Sequence, residues 1–397
     1  AGARGRVAAQ ERMSQMQRLL RPGPRVVAGL MSGTSLDGVD AAVVRVDGTG
    51  AGLSAEVLGF VSEPYSDTVR AALRACVEVA SSDVRLVSQL HARLGLHFAA
   101  AARSACDAAG IAPGDLDLVG SHGQTVQHVP VAEPCAGVPT RSTLQIGSPA
   151  EIATALGVPV VADFRAGDLA LGGQAAPLAP YLDGTLFADP SETRVLLNLG
   201  GIANVSVVTP DGVALAFDTG PANMVSDALA ARLLGEPFDR DGALAAAGTP
   251  DRAFVDAVLA EPYFAAPPPK STGREDFGTA FVDRLVATGG TPADLLATAT
   301  ALTARSVALA ILDHAPGAAR VIASGGGVRN PTLMAGLRGA LAPMPVETTA
   351  EHGLDPDAKE AVLFAVLAHE WANGVRTGLP AVTGARAAAF QGSLTLP

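Results

Sequence analysis

The sequence predicts an α/β protein with mainly parallel sheets, assembled from two similar units. Three observations lead there. Short apolar runs ending in glycine alternate with helical stretches along most of the 397 residues. One layout, an apolar strand followed by a glycine loop and a second strand, occurs near the start of the chain and again at its middle. Hydrophobic residues make up 48% and charged residues 17%, which suits a large buried core and excludes a disordered chain. At about 100–200 residues per domain, two domains is the expected count.

Taken in order, residues 1–24 carry Arg4, Arg6, Arg12, Arg18 and Arg21 and close in RPGP, a basic extension without the apolar stretch of a signal peptide. From Arg25, VVAGLM and VDAAVVRVDG read as two strands joined by GTSLDG. A long helical stretch from Asp67 to Ala109 follows, then a strand at LDLVGSHG, a helix from Ala150 to Leu156 and a strand at PVVADF. The second unit opens with three strands, RVLLNLGG, IANVSVV and VALAFDTG, the last two separated by a PDG turn. Helices are expected over Met224 to Leu234, Glu275 to Thr288 and Pro292 to His314, then a strand at VIASGGG and a helix from Pro331. The expected domains are 25–165 with 376–397, and 166–375. Apolar stretches such as Ile152 to Ala162 stop short of the roughly 18 residues of a membrane span.

The formal charge of −11 argues against a nucleic-acid partner, which calls for a basic face. Lys270 and Lys359 are the chain's two lysines, so no GxxxxGK phosphate loop exists and backbone amides must hold any phosphate. Cys76, Cys106 and Cys135 lie far apart, forming neither a CxxC pair nor a disulfide framework, and a reducing cytoplasm is the simplest home. His369-Glu370 lacks the second histidine of HExxH, so no structural zinc is expected.

Six stretches carry candidate chemistry. Gly33-Thr34-Ser35-Leu36-Asp37-Gly38 offers hydroxyls and successive amides to a phosphate, although Asp-Gly is also the commonest hairpin turn. Gly200, Gly201 and Asn204 repeat that layout, and two facing hairpins could grip one polyphosphate. Asp218, at the end of VALAFD, is placed as a general base or as a helix N-cap. Gly325, Gly326 and Gly327 exceed what one turn requires and suggest contact with a ligand. Ser121, His122 and Gln124, with Asp163 and Arg165, end two further strands and suit a small polar ligand bearing a carboxylate; Arg165 could instead pair with Asp163 or Asp168. Thr272 and Glu275 read as a capping box.

The strings GLMSGTSLDGVD, GSHGQTVQH, LQIGSPAEIA, VVADFRAGDLALGGQ, LLNLGGIANVS, FDTGPAN, FDRDG, PKSTGRE, GGGVRNPTLM and KEAVLFAVLAH, in that order from Gly29 nearly to the C-terminus, resemble the anhydro-N-acetylmuramic acid kinase family. The resemblance implies a two-domain actin-like ATPase fold, a duplicated ribonuclease H-like arrangement with a central ATP cleft. It implies a cytoplasmic bacterial enzyme of cell-wall recycling that uses ATP and Mg²⁺ to open the 1,6-anhydro bridge and phosphorylate O6. A simple amino-sugar kinase of the same fold, or an ATP-gated binding or filament protein, are the alternatives. By motif, Gly33 to Asp40, including Val39, becomes the ATP phosphate loop, Asp218 the general base, and Ser121, His122, Gln124, Asp163, Arg165 and Glu360 the substrate contacts. The resemblance also implies a homodimer. Ala175 and Ala222 stand where the family more usually has glycine, which a negative φ would permit.

Overall fold

The computed structural model describes residue 19, residues 21–33 and residues 35–397. Most of the basic extension, and Thr34 of the first glycine loop, lie outside these. The chain divides into two compact units, Ala1–Leu186 with Glu360–Pro397, and Phe187–Lys359. These boundaries differ from 165/166 and 375/376 because three further helices, Ala166–Ala170, Ala179–Leu186 and, from Glu360 on, Lys359–Ala372, belong to the first unit. The helix Ala179–Leu186 is tied in where Tyr181 Oη donates to Glu370 Oε1 at 2.8 Å, and the helix Lys359–Ala372 lies on the first unit's sheet.

In the first unit, β1 (Arg25–Ser32), β2 (Gly38–Asp47) and β3 (Ser54–Pro64) form an antiparallel meander. β4 (Leu118–Cys135) joins β1 in parallel, and β6 (Val160–Ala162) joins β4 in parallel. β5 (Val138–Ile146) returns antiparallel along β4, and the last strand, β12 (Ser393–Thr395), closes the edge beside β6. In the second unit, β7 (Arg194–Leu199), β8 (Ile202–Thr209) and β9 (Gly212–Pro221) form the meander. β10 (Arg320–Ser324) and β11 (Val346–Thr348) add to β7 in parallel. The orders β3-β2-β1-β4-β6 and β9-β8-β7-β10-β11 match strand for strand and sense for sense. This is the duplicated ribonuclease H-like topology of the actin-like ATPases. The sheets are therefore mixed rather than mainly parallel, since each meander contributes two antiparallel pairings.

Other departures from expectation have local causes. The helical stretch from Asp67 breaks into Asp67–Val77 and Val84–Ala109, because Asp83 caps the second helix by accepting from Leu86 N. The stretch from Glu275 breaks into Arg274–Phe277 and Thr279–Val286 at Gly278. The helix Pro292–His314 is long and apolar enough to cross a membrane by length and composition, although threonines interrupt its apolar run in the sequence. It is 78% buried as a core helix of the second unit, with Thr300 Oγ1 donating to Leu296 O and Thr303 Oγ1 to Pro221 O.

One close approach organises the first unit. A Cβ on Gly29 of β1 would lie 1.8 Å from Ala361 O, and one on Gly120 of β4 would lie 2.0 Å from Phe364 O. The helix Lys359–Ala372 thus sits backbone to backbone on the sheet, and residues 361–370 are all buried. Adding a methyl there forces the layers apart. Gly120→Ala is expected to lower stability by about 2 kcal/mol or more, whereas Gly114→Ala, with no atom within 4 Å of its Cβ, should change it by less than about 0.5 kcal/mol. Urea midpoints of the two variants check this.

Candidate functional site

In the first unit, the turn between β1 and β2 is braced at its polar atoms. Leu36 N donates to Gly33 O at 3.3 Å, Ser35 Oγ donates to Asp37 Oδ1 at 2.8 Å, and Tyr65 N donates to Asp37 O at 2.8 Å. Leu36 adopts φ +58° with its side chain buried, and Val39 is 1% exposed within the core. These two side chains belong to the hydrophobic core, which leaves their backbone groups to face a ligand. Gly38 is required by packing, since its Cβ would meet Glu63 O at 2.4 Å. Gly33, Ser35, Asp37 and the half-buried Asp40 remain as groups a ligand could meet; burial raises the Asp40 carboxyl, opposed by a hydrogen bond from Ser62.

Gln124 is fully buried, and its Nε2 donates to Gly33 O at 2.9 Å and to Thr125 O at 3.2 Å. Its side chain is thus engaged by the glycine turn. Beside it on β4, His122 Nδ1–H donates to Gly123 O at 2.9 Å, leaving Nε2 to accept from Arg165 Nε at 2.9 Å. That tautomer is neutral, and burial together with the Arg165 charge drives the imidazole well below its usual range. Ser121 is 1% exposed and its Oγ has no partner among the described residues.

Arg165 bonds to neither Asp163 nor Asp168. Its Nη1 donates to Ala175 O at 2.6 Å, while Asp168 Oδ2 accepts from Ala175 N at 2.7 Å and Oδ1 accepts from Thr383 Oγ1 at 2.8 Å. Burial lowers the Arg165 guanidinium to about 10, opposed by the Glu360 carboxylate, so it stays charged at neutral pH. Glu360 is exposed at the start of its helix. Asp163, exposed at the end of β6, adopts φ +61°. Ala175 is found at φ +57°, contrary to the negative angle expected of an alanine; its N–H and C=O, both held by buried side chains, fix it there. Ala222 adopts φ −116° and meets the expectation.

In the second unit, β8 and β9 pair with a register shift between Ala203 and Asn204, opposite Gly220 and Asp218. Such an irregularity re-aims the side chains beside it. Asp218 pairs with Asn204 across it. Asp218 does not cap a helix: the N-cap of Asn223–Leu234 is Ala222, without a side-chain bond. Instead the segment Lys270–Thr272 folds over the carboxylate. Thr272 N donates to Asp218 Oδ2 at 3.1 Å, Asp218 N donates to Lys270 O at 3.1 Å, and Tyr263 Oη donates to Asp218 O at 2.7 Å. Burial raises the Asp218 carboxyl from 3.8 to about 6, the Thr272 N–H opposing this and Glu275 adding to it. The expected capping box is replaced: Gly273 is the N-cap of Arg274–Phe277, and Thr272 Oγ1 donates to Asp276 Oδ2 at 2.6 Å. The contact of Thr272 with Asp218 is a backbone one, so only the recurrence of PKSTGRE as a unit could have signalled it.

Around the second glycine loop, Gly200 O accepts from Asn223 N at 3.0 Å, and Gly201 O accepts from Ala222 N at 2.9 Å and Met224 N at 3.1 Å. Of the three later glycines, Gly325 (φ +82°) and Gly327 are demanded by close packing on Leu199, and Gly326 alone has open space for a ligand. Among the described residues no group of three or more His, Cys, Asp or Glu gathers as a metal site.

The sequence profile of the anhydro-N-acetylmuramic acid kinase family matches residues 25–397. Proteins of that name are 52% identical in Salinibacter ruber, over 97% of this chain and 100% of theirs, and 45% identical in Gloeobacter violaceus, over 91% and 96%. Another in Caldanaerobacter subterraneus is 41% identical over 97% and 100%. The chain belongs to the anhydro-N-acetylmuramic acid kinase family.

Proposed function

We propose that this kinase hydrolytically opens the 1,6-anhydro ring of 1,6-anhydro-N-acetylmuramic acid and transfers the γ-phosphoryl group of ATP to O6. The products are N-acetylmuramic acid 6-phosphate and ADP, as peptidoglycan recycling requires. The observation that carries this reading is Asp218: a carboxylate at the register shift of β9, fixed through Oδ2 by Thr272 N and raised to about 6, is suited to general-base work near neutral pH. An inverting glycosidase uses one carboxylate to activate water and an acid to protonate the leaving oxygen. Here Asp218 takes a proton from water as its oxygen bonds to C1 and the C1–O6 bond breaks. O6 then bonds to the γ-phosphorus as the bond to ADP breaks, so no general acid is needed.

His122 and Arg165 are assigned to the sugar, Arg165 as the fixed cation for its carboxylate, with Ser121, Gln124, Asp163 and Glu360 around them. Gly33, Thr34, Ser35, Asp37, Gly38 and Asp40, then Gly200, Gly201 and Asn204, and Gly325 to Gly327, are assigned to the nucleotide. The absence of a dense carboxylate cluster among the described residues fits Mg²⁺ carried on ATP, which keeps several waters and needs one or two protein carboxylates. Asp37 and Asp40 would hold it, and when bound it neutralises phosphate charge. With a net charge of −11, small molecules rather than nucleic acid are the partners, with action in the cytoplasm and as a homodimer.

The reading is tested by turnover in ¹⁸O-water: the phosphorylated sugar should gain one ¹⁸O at C1, and product without it would instead fit a kinase acting on an open sugar. Asp218→Asn should cut kcat by about 10²–10⁴-fold. The same change should raise stability at pH 7 by about 1–3 kcal/mol. The sign follows because the folded carboxyl keeps its proton to about pH 6 while the unfolded one releases it near 3.8, so its ionised form opposes folding at pH 7. For the same reason kcat/KM should fall about tenfold per pH unit below about 6 and level off above it.

A further inference from the structure

Three carbonyls at the ends of the first glycine turn are each held from outside it. Gly33 O accepts from Gln124 Nε2 at 2.9 Å, Asp37 O accepts from Tyr65 N at 2.8 Å, and Gly38 O lies 2.7 Å from Ser32 Oγ. These holds are linked. Gln124 Nε2 faces two carbonyls, Gly33 O and Thr125 O, so its Oε1 must be the acceptor at the other side, and Ser32 Oγ lies 2.7 Å from it. Ser32 has one proton to share between Gly38 O and Gln124 Oε1, which leaves its lone pairs for a donor. Tyr65 Oη supplies that donor at 3.0 Å. Ser32 is 2% exposed, Tyr65 3% and Gln124 0%. In so dry a setting each bond is strong and each lost partner is costly.

We infer that Tyr65 and Ser32, acting through Gln124, are positioning residues that fix the carbonyls of the Gly33–Gly38 turn and so aim its amides at the terminal phosphate of ATP. The inference rests on the reading of that turn as a phosphate loop. Neither residue is itself exposed to a ligand, so each acts only through the turn. A turn that must present amides without a lysine has no charge to tolerate misalignment, and the geometry of its backbone is then the whole device. Burial pushes the Tyr65 phenol up to about 12, the bond with Ser32 opposing this, so it remains a donor at every working pH.

Tyr65→Phe keeps the ring and removes the one donor. In the full-length protein it should lower kcat about 10-fold or more while KM for the anhydro sugar stays within about twofold, since an ångström of misplacement costs up to about 10²-fold. Ser32→Ala should do the same, and the double variant should lose little more than either single one, because both act on one chain of bonds. A second readout needs no sugar. Calorimetric titration of Tyr65→Phe should show AMP-PNP bound about 10-fold more weakly and ADP within about twofold. Full kcat with unchanged AMP-PNP binding, or equal weakening of AMP-PNP and ADP, would overturn the inference, as would a fall in Tm alone. If the wild-type protein released no ADP with the anhydro sugar yet the AMP-PNP and ADP contrast held, the proposed substrate would fall and this inference would stand.

Discussion

The seating of the helix Lys359–Ala372 on two side-chain-free positions, Gly29 and Gly120, is the constraint on which the first unit's candidate site rests. Only with the helix that low does Phe364 bring its ring to 4.7 Å from His122 and 5.4 Å from Phe164. The His122 ring, so packed and bonded to Gly123 O, presents Nε2 to Arg165, and Arg165 then reaches Ala175 O. The first turn of the same helix carries Glu360, whose charge offsets the burial that weakens the Arg165 proton. A backbone packing contact thereby sets the direction of a cation, because a neutral imidazole has one acceptor and the packed ring is held in place.

The two units share a topology and differ in how they treat their glycine loops. In the first, side chains from neighbouring strands take the turn's carbonyls, Gln124 and Ser32 among them. In the second, Gly200 O and Gly201 O accept from the first amides of the helix Asn223–Leu234, so the loop caps the helix whose own N-cap residue, Ala222, has no polar side chain. Asp218, the proposed general base, lies on the second meander. Asp218 stands where β8 and β9 shift register, and its environment is completed by a loop rather than by another strand.

Much of this was legible in the sequence. Continuous apolar runs closed by glycine give the paired strands at Arg25 and Arg194 and place Asp218 after the apolar run VALAF, where the resemblance to a family with FDTGPAN implies a base. Position alone leaves base and N-cap open, and the structure removes the N-cap because the next helix starts five residues later, at Asn223. β3 and the β4–β5 hairpin were not legible: residues 131–142 are exposed on both faces, so no apolar alternation marks them. Val39 and Leu36 read with their loop, yet the core takes their side chains, Val39 from the buried strand β2 and Leu36 from the turn itself at φ +58°. The contact of Thr272 with Asp218 escaped for another reason, being made by a backbone amide that any residue but proline supplies.

Ala175 shows how far local rules yield to packing. An alanine in the left-handed region costs about 1–2 kcal/mol, and the sequence rule therefore expects either glycine or a different angle. Here the residue is 0% exposed, its amide is held by the buried Asp168 and its carbonyl by Arg165. Returning to a relaxed angle would break both bonds, and would leave a buried carboxylate short of a donor, at a cost above the strain. Asp168 in turn is fixed by Thr383, near the end of the chain. The strained peptide is thus the joint between the Asp168 carboxylate and the Arg165 guanidinium, and the alanine is held by the same bonds that fix those two side chains.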